Sequence, residues 1–154
     1  MRVVIQRVTS AAVRIEGDIV GQIRRGLLVF VGITAGDTEA DSAWLAKKVA
    51  TLRIFADADG TPNLDLEAVN GEVLVVSQFT LYADARKGTR PSYIRAARPE
   101  IAEPLYEHFL AQLQLVTGKL PKRGQFGADM QVSLTNDGPI TIIIDTPSRE
   151  AAEG

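Results

Sequence analysis

Ser77-Gln78-Phe79-Thr80 closes an apolar run that starts at Val73, so two hydroxyls, a carboxamide and a ring stand where a buried strand turns polar. At such an end main-chain N–H groups leave the ladder and can point at a ligand, an arrangement suited to a developing oxyanion. A serine or threonine nucleophile needs a base within reach. The chain holds one histidine, His108, which has no partner readable nearby, and it has no Gly-x-Ser-x-Gly elbow. Covalent serine-hydrolase chemistry is therefore disfavoured, and a strand end with satisfied hydroxyls is the plain alternative for the tetrapeptide. The absence of cysteine excludes thiolate nucleophiles and cysteine zinc sites, and a single histidine excludes a multi-histidine metal site within one chain. The expected chemistry uses no metal and no cofactor.

A second motif, Asn136-Asp137-Gly138-Pro139, reads first as a hairpin turn between strands at Met130–Thr135 and Ile140–Asp145. The proline removes a ladder donor and constrains Gly138, and a Gly-Pro bond can be cis or trans, which the sequence leaves open. A cis bond would turn consecutive carbonyl oxygens to one side. Charge supplies a third signal. Arg86, Lys87, Arg90, Arg95 and Arg98 stand between Ala85 and Pro99 without an acid among them, in a chain of net charge −2. Arg24-Arg25 and Lys119, Lys122 and Arg123 form two further basic clusters, and Tyr82 and Tyr93 flank the first. Phosphate contacts, with Arg86, Lys87 and Arg90 as RNA-binding candidates, compete here with a solvated loop.

The elements that must position these residues follow from periodicity. Val13 and Ile15 alternate with charged residues before Gly17-Asp18, Ile19–Ile23 follows, and Leu27–Val31 is apolar on both faces, as in a central strand whose Gly32 marks a bulge or close approach. Thr38 and Asp41 resemble an N-cap box for a helix over about 39–52 with Leu45, Val49 and Leu52 on one face. Trp44 beside that stripe reads as a core or interface anchor. Asp57-Ala58-Asp59-Gly60 lacks the later ligands of a calcium loop and reads as a polar turn. Pro99 opens a second helix with Ile101, Leu105, Phe109, Leu113 and Val116 at steps of three and four until Gly118, and Pro104 requires a later start or a bend. The 154 residues, 45% hydrophobic, suit one domain over 1–146, and the polar residues 147–154 read as a frayed tail. The result is an α/β fold of the α+β type: a twisted, mostly antiparallel sheet, barrel-like in closure, with two main helices. No apolar stretch approaches the roughly 20 residues of a membrane span, and no signal-peptide core follows Met1, so a cytoplasmic protein is expected.

Taken in order, QRVTSAAV at 6–13, RIFADADG at 53–60, NLDL at 63–66, VLVVSQFTLYAD at 73–84, RPSY at 90–93, ADMQVSL at 128–134 and NDGPIT at 136–141 resemble the D-aminoacyl-tRNA deacylases. The likeness spans about residues 1–145. It implies a homodimer with its pocket at the subunit interface, acting on the 3′ acceptor end of aminoacyl-tRNA. Ser77, Gln78, Phe79 and Thr80 would line one side of the pocket. Gly138-Pro139 would be cis and inserted from the partner, its carbonyls excluding L-aminoacyl groups, with Arg7 holding that loop and Met130 close by. It further implies ester hydrolysis by water, with amides around Phe79 and Thr80 holding the oxyanion and the vicinal 2′-hydroxyl assisting. Thr80 is either nucleophile or positioning group, and the lack of a base favours positioning. Members that remove glycine belong to the same resemblance.

Overall fold

The computed structural model describes residues 1–147; the expected tail from 148 onward lies outside the described residues. Strands β1 (Arg2–Ile15), β2 (Asp18–Ile23) and β3 (Gly26–Gly32) lead to helix α1 (Glu39–Thr51). The short pair β4 (Phe55–Ala56) and β5 (Pro62–Leu64) precedes β6 (Glu72–Ser77), a 3₁₀ turn over Phe79–Tyr82, helix α2 (Pro99–Thr117), β7 (Lys122–Arg123) and β8 (Gln131–Asp145).

Strand β1 is the spine of the sheet. It is antiparallel to β8 from Arg2 to Arg14, to β3 from Arg2 to Val8 and to β2 from Ala11 to Ile15, so along most of its length it has a partner on each side. Beyond β3 the pairing becomes parallel, β3 with β6 and β6 with β7. The sheet is thus mixed, with its long pairings antiparallel. β3 is central, and its two faces serve two cores. Leu27, Val29 and Val31 join Val3, Ile5, Val73 and Val75 against the helices, while Leu28 joins Val8, Val13, Ile23, Leu74 and Val76 inside the curl of the sheet. At Gly21 a Cβ would fall 2.6 Å from the Arg123 carbonyl oxygen, so β2 comes hard against β7 and the sheet nearly closes into a barrel.

Local signals account for both helices. Thr38 and Asp41 form a reciprocal capping box at the start of α1, satisfying two amides that a helix leaves without partners. α2 takes Pro99 in its first turn, runs on through Pro104 and ends on left-handed Gly118, and it buries Leu105, Tyr106, Phe109 and Leu113. Ile101 and Val116, expected on that buried stripe, are instead exposed. His108 Nδ1 meets Ser42 Oγ at 2.9 Å across the helix pair, and Trp44 is no core residue, being 39% exposed beneath the Lys48 ammonium. Asp57 Oδ1 accepts from the Asp59 and Thr61 amides, which makes the polar turn.

The hairpin expected around Asn136–Pro139 does not form. β8 is one strand that stays on β1, and the register breaks where Gln6 pairs with Thr141 and Val8 with Asn136. The two steps of β1 between those pairs face five of β8, so the surplus is pushed out as a loop. The Gly138-Pro139 bond within it is cis.

If the β2–β7 seam is closed by backbone contact, Gly21→Ala should lower the urea midpoint by an amount equivalent to about 1–3 kcal/mol with an unchanged m value, the scale of overpacking a tight site. An unchanged midpoint would mean that the seam opens freely.

Candidate active site

β6 leaves the ladder at Ser77. The Gln78 amide makes a last bond to the Val31 carbonyl at 2.8 Å, and the chain then tightens into the 3₁₀ turn, with Leu81 N–H on Gln78 O and Ala83 N–H on Thr80 O. Gly32 permits the turn to pack this close, since a Cβ there would lie 3.0 Å from Leu81 Cβ and 3.2 Å from the Gln78 oxygen. Among the described residues the amides of Phe79 and Thr80 have no hydrogen-bond acceptor, the state expected of the first amides of a turn. The Gln78 carboxamide donates to Thr80 Oγ1, so the threonine hydroxyl is tied to its neighbour and has no base beside it. Burial pushes the Tyr82 hydroxyl above its ordinary pKa, and the guanidinium groups of Arg2 and Arg95 lie over its ring.

The turn opens on a cavity of about 570 Å³. Val31, Ile33 and Val76 form its sheet side, Ala96, Ala97 and Ala102 leave room on the helix side, and Phe126 to Ala128 with Met130 and Val132 form the far wall. Phe79, 57% exposed, stands edge-on to Tyr93 with ring centres 5.2 Å apart. The polar side chains lining it are those of Ser77, Gln78 and Tyr93, so a substrate there is held mostly by apolar walls and main-chain donors. Met130 packs on Gly124, whose Cβ would meet its sulfur at 2.5 Å.

Of the residues singled out in the sequence, Ser77, Gln78, Phe79 and Met130 meet at this cavity, with Thr80 just behind them. Arg7, Gly138 and Pro139 form a separate group. Arg7 Nη1 donates to Ile54 O at 2.6 Å, its Nε donates to Asp137 O at 3.2 Å, and the Asp137 carboxylate lies 3.4 Å away. The loop is braced further by Ile140 N–H on Asn136 Oδ1, and Gly138 and Pro139 are exposed. Arg7 pairs with Leu27, four residues along β3 from Val31 at the cavity, a separation of about 13 Å. None of residues 136–140 lines the cavity. Sequence reasoning missed the alanines and Phe126-Gly127-Ala128, which carry no chemical signature, whereas Tyr93 was flagged only as a neighbour of the basic segment.

Those basic residues divide. Arg86 donates from Nε and Nη2 to the Asp84 carboxylate at 2.9 and 2.7 Å, just outside the acid-free stretch. Lys87 and Arg90 are exposed and in no ion pair among the described residues. Hydrogen bonds from Arg86 hold the Asp84 carboxyl down at about 2, well below the usual range.

The architecture is shared with solved structures. It superposes on a solved structure titled c-Myc DNA Unwinding Element Binding Protein with a TM-score of 0.89 and 39% identity, covering 96% of this chain and 100% of that one. A probable eukaryotic D-amino acid tRNA deacylase shares the fold, with a TM-score of 0.81 at 17% identity over 93% and 97% of the two chains. Among curated relatives, the D-aminoacyl-tRNA deacylase of Akkermansia muciniphila is 59% identical over 97% of this chain and all of its own length. That of Dechloromonas aromatica is 54% identical over 95% and 97%. The family described as D-Tyr-tRNA(Tyr) deacylase matches residues 4–145, and the chain belongs to that family of enzymes.

Because Asp84 is depressed, its pairing contributes at pH values above the ordinary carboxyl range and is lost as pH falls through its folded-state value. An NMR titration of its side-chain carbon should give a midpoint at about 2, returning toward the reference 3.8 in Arg86→Ala. A midpoint near the reference value in the unaltered protein would contradict the pair.

Proposed function

We propose that the chain hydrolyses the ester of D-aminoacyl-tRNA as a homodimer of one-domain chains (residues 1–146), acting in the cytoplasm in chiral proofreading. The observation that carries this reading is the apolar cavity ending on the Phe79 and Thr80 amides, in a chain more than half identical over nearly its whole length to D-aminoacyl-tRNA deacylases. The aminoacyl ester enters with its carbonyl oxygen toward those two amides. Water adds to the carbonyl carbon, the amides hold the negative oxygen of the tetrahedral intermediate, and collapse breaks the bond to the ribose 3′-oxygen. That oxygen takes up the proton that water gives up, relayed by the vicinal 2′-hydroxyl, leaving free tRNA and amino acid. Each main-chain donor at an oxyanion contributes on the order of 3 kcal/mol. Thr80, with its hydroxyl engaged by Gln78, fixes the turn and is not the nucleophile.

Chirality is read by exclusion. The partner's Gly-Pro loop enters the cavity, and its carbonyl oxygens stand where the Cβ of an L-aminoacyl group would lie. A D side chain points away into the open cavity and is tolerated whatever its shape. Glycine, lacking a Cβ, escapes rejection, so glycyl-tRNA is a further substrate. The contacts of Arg7 with Asp137 O and Ile54 O support its role as the brace of the loop. Lys87 and Arg90 contact phosphates of the acceptor end, and Arg86 contributes through its fixed pair with Asp84. A second reading, a nucleic-acid binder without turnover, is favoured by the name of the 39%-identical structural neighbour.

Turnover separates the two readings. With D-tyrosyl-tRNA in large excess and a chelator present, each protomer should release many equivalents of tRNA. A binder would instead protect the ester in proportion to its own concentration. Thr80→Val should keep kcat within about tenfold, whereas loss on the order of 10⁶, the scale of deleting a nucleophile, would restore Thr80 as one. Arg7→Ala should hydrolyse L-tyrosyl-tRNA alongside the D ester, and unchanged discrimination would return Arg7 to an ordinary strand arginine.

A further inference from the structure

Three segments far apart in the chain converge at the N-terminal end of β6: Arg24-Arg25 of the β2–β3 turn, Asn70 to Glu72, and Lys119 with Lys122 after α2. They line an open pocket of about 630 Å³. Four cations face one carboxylate, Glu72, which is engaged with the Arg24 backbone N–H at 3.0 Å. Among the described residues none of the four is in an ion pair, whereas Arg2, Arg86, Arg98 and Arg123 each have one. Two of the four are held in place without being neutralised. Lys119 Nζ donates to the carbonyl oxygens of Asn70 and Gly71 at 3.3 and 3.5 Å and to the Asn70 side chain, and the Arg25 guanidinium lies over the Phe55 ring. A local excess of positive charge in a chain of net charge −2 attracts an anion.

Its position identifies the anion. Lys122 lines this pocket and Phe126, four positions later, lines the cavity, a span of at most about 14 Å of chain. Backbone phosphates of a nucleic-acid strand follow at roughly 3.4 Å along its axis, so 14 Å is about four nucleotides. The pocket is open and its cations are exposed, which suits a passing polyanion better than an enclosed metabolite.

We propose that this pocket is a second anchor for the substrate RNA, gripping two neighbouring backbone phosphates about four nucleotides from the 3′ end held in the cavity. The inference rests on the deacylase reading above, and its test separates the two.

Binding of uncharged tRNA is followed by fluorescence anisotropy between 50 and 300 mM KCl for the wild type, Arg24→Ala/Lys122→Ala and a control of equal charge change on α1, Lys47→Ala/Lys48→Ala. Loss of two phosphate contacts should flatten the log–log salt slope by about 1.5 and weaken binding several-fold, with the control unchanged. On D-tyrosyl-tRNA the same change should appear in KM rather than kcat. A trinucleotide of the 3′ sequence, too short to reach the pocket, should bind both proteins alike. If the double variant melts early, Lys122→Ala alone should flatten the slope by about 0.8. An unchanged slope, or equal flattening in the control, overturns the anchor. So does binding of inorganic phosphate that the double variant loses while its tRNA slope stays at the wild-type value. If the slope flattens but neither D- nor L-tyrosyl-tRNA is hydrolysed by the wild type, the deacylase reading falls and the phosphate anchor stands.

Discussion

The mismatch in length between β1 and β8 governs the rest of the molecule. Between the Gln6–Thr141 and Val8–Asn136 pairs the two strands differ by three residues, and a ladder has no room for them. The excess leaves as the Asn136–Ile140 loop. Ordinary alternation sends Val3 and Ile5 to the helix-side core and Val8 to the inner one, and a second register break between Val8 and Ser10 brings Ala11 and Val13 to the inner core beside Val8. Arg7, at the break, is left to turn its guanidinium onto the expelled loop and onto Ile54 O. The irregularity thus leaves an exposed loop braced by Arg7, and none of residues 136–140 lines the cavity of the same chain.

The cavity works by backbone more than by side chain. Apolar walls with three alanines make a roomy pocket, and the amides of Phe79 and Thr80 are directed by the tight turn after Gln78. Among the residues lining it only Tyr93 carries a titratable group, and few polar side chains stand there for a substrate side chain to exploit, a combination suited to one reaction on many side chains. Positive charge lies outside the pocket, on Lys87 and Arg90 and at the foot of β6, where under the proposed function a long polyanion and not its reacting end would touch it.

Much of this was legible in the sequence wherever the signal was local. The capping box at Thr38, the Pro99 to Gly118 frame of α2, the doubly apolar β3 and the Asp57 turn depend on neighbours within a few residues, and they appear as read. Pairing between distant segments was not legible. Asp-Gly suggested a hairpin because the turn code is local, whereas the continuous β8 is set by β1, more than a hundred residues earlier. The parallel pairings of β3, β6 and β7 and the cavity's far wall share that origin. Arg86 looked available for phosphate only because its acid, Asp84, sits one residue before the stretch that holds no acid. Of the site, the turn motif and the loop motif were readable as motifs, and their separation within one chain was not.

Hybrid dimers test most directly the proposal that each cavity is completed by the loop of the other chain. One chain carries a filled cavity, Ala128→Trp, with a normal loop; the other carries Arg7→Ala with an open cavity. In the purified hybrid the open cavity belongs to the Arg7→Ala chain and the intact loop to its partner. Hydrolysis of D-tyrosyl-tRNA with L-tyrosyl-tRNA spared, as in the wild type, is the result predicted. Hydrolysis of both esters, as expected of the Arg7→Ala homodimer, would show that each cavity is guarded by its own loop and would contradict the account.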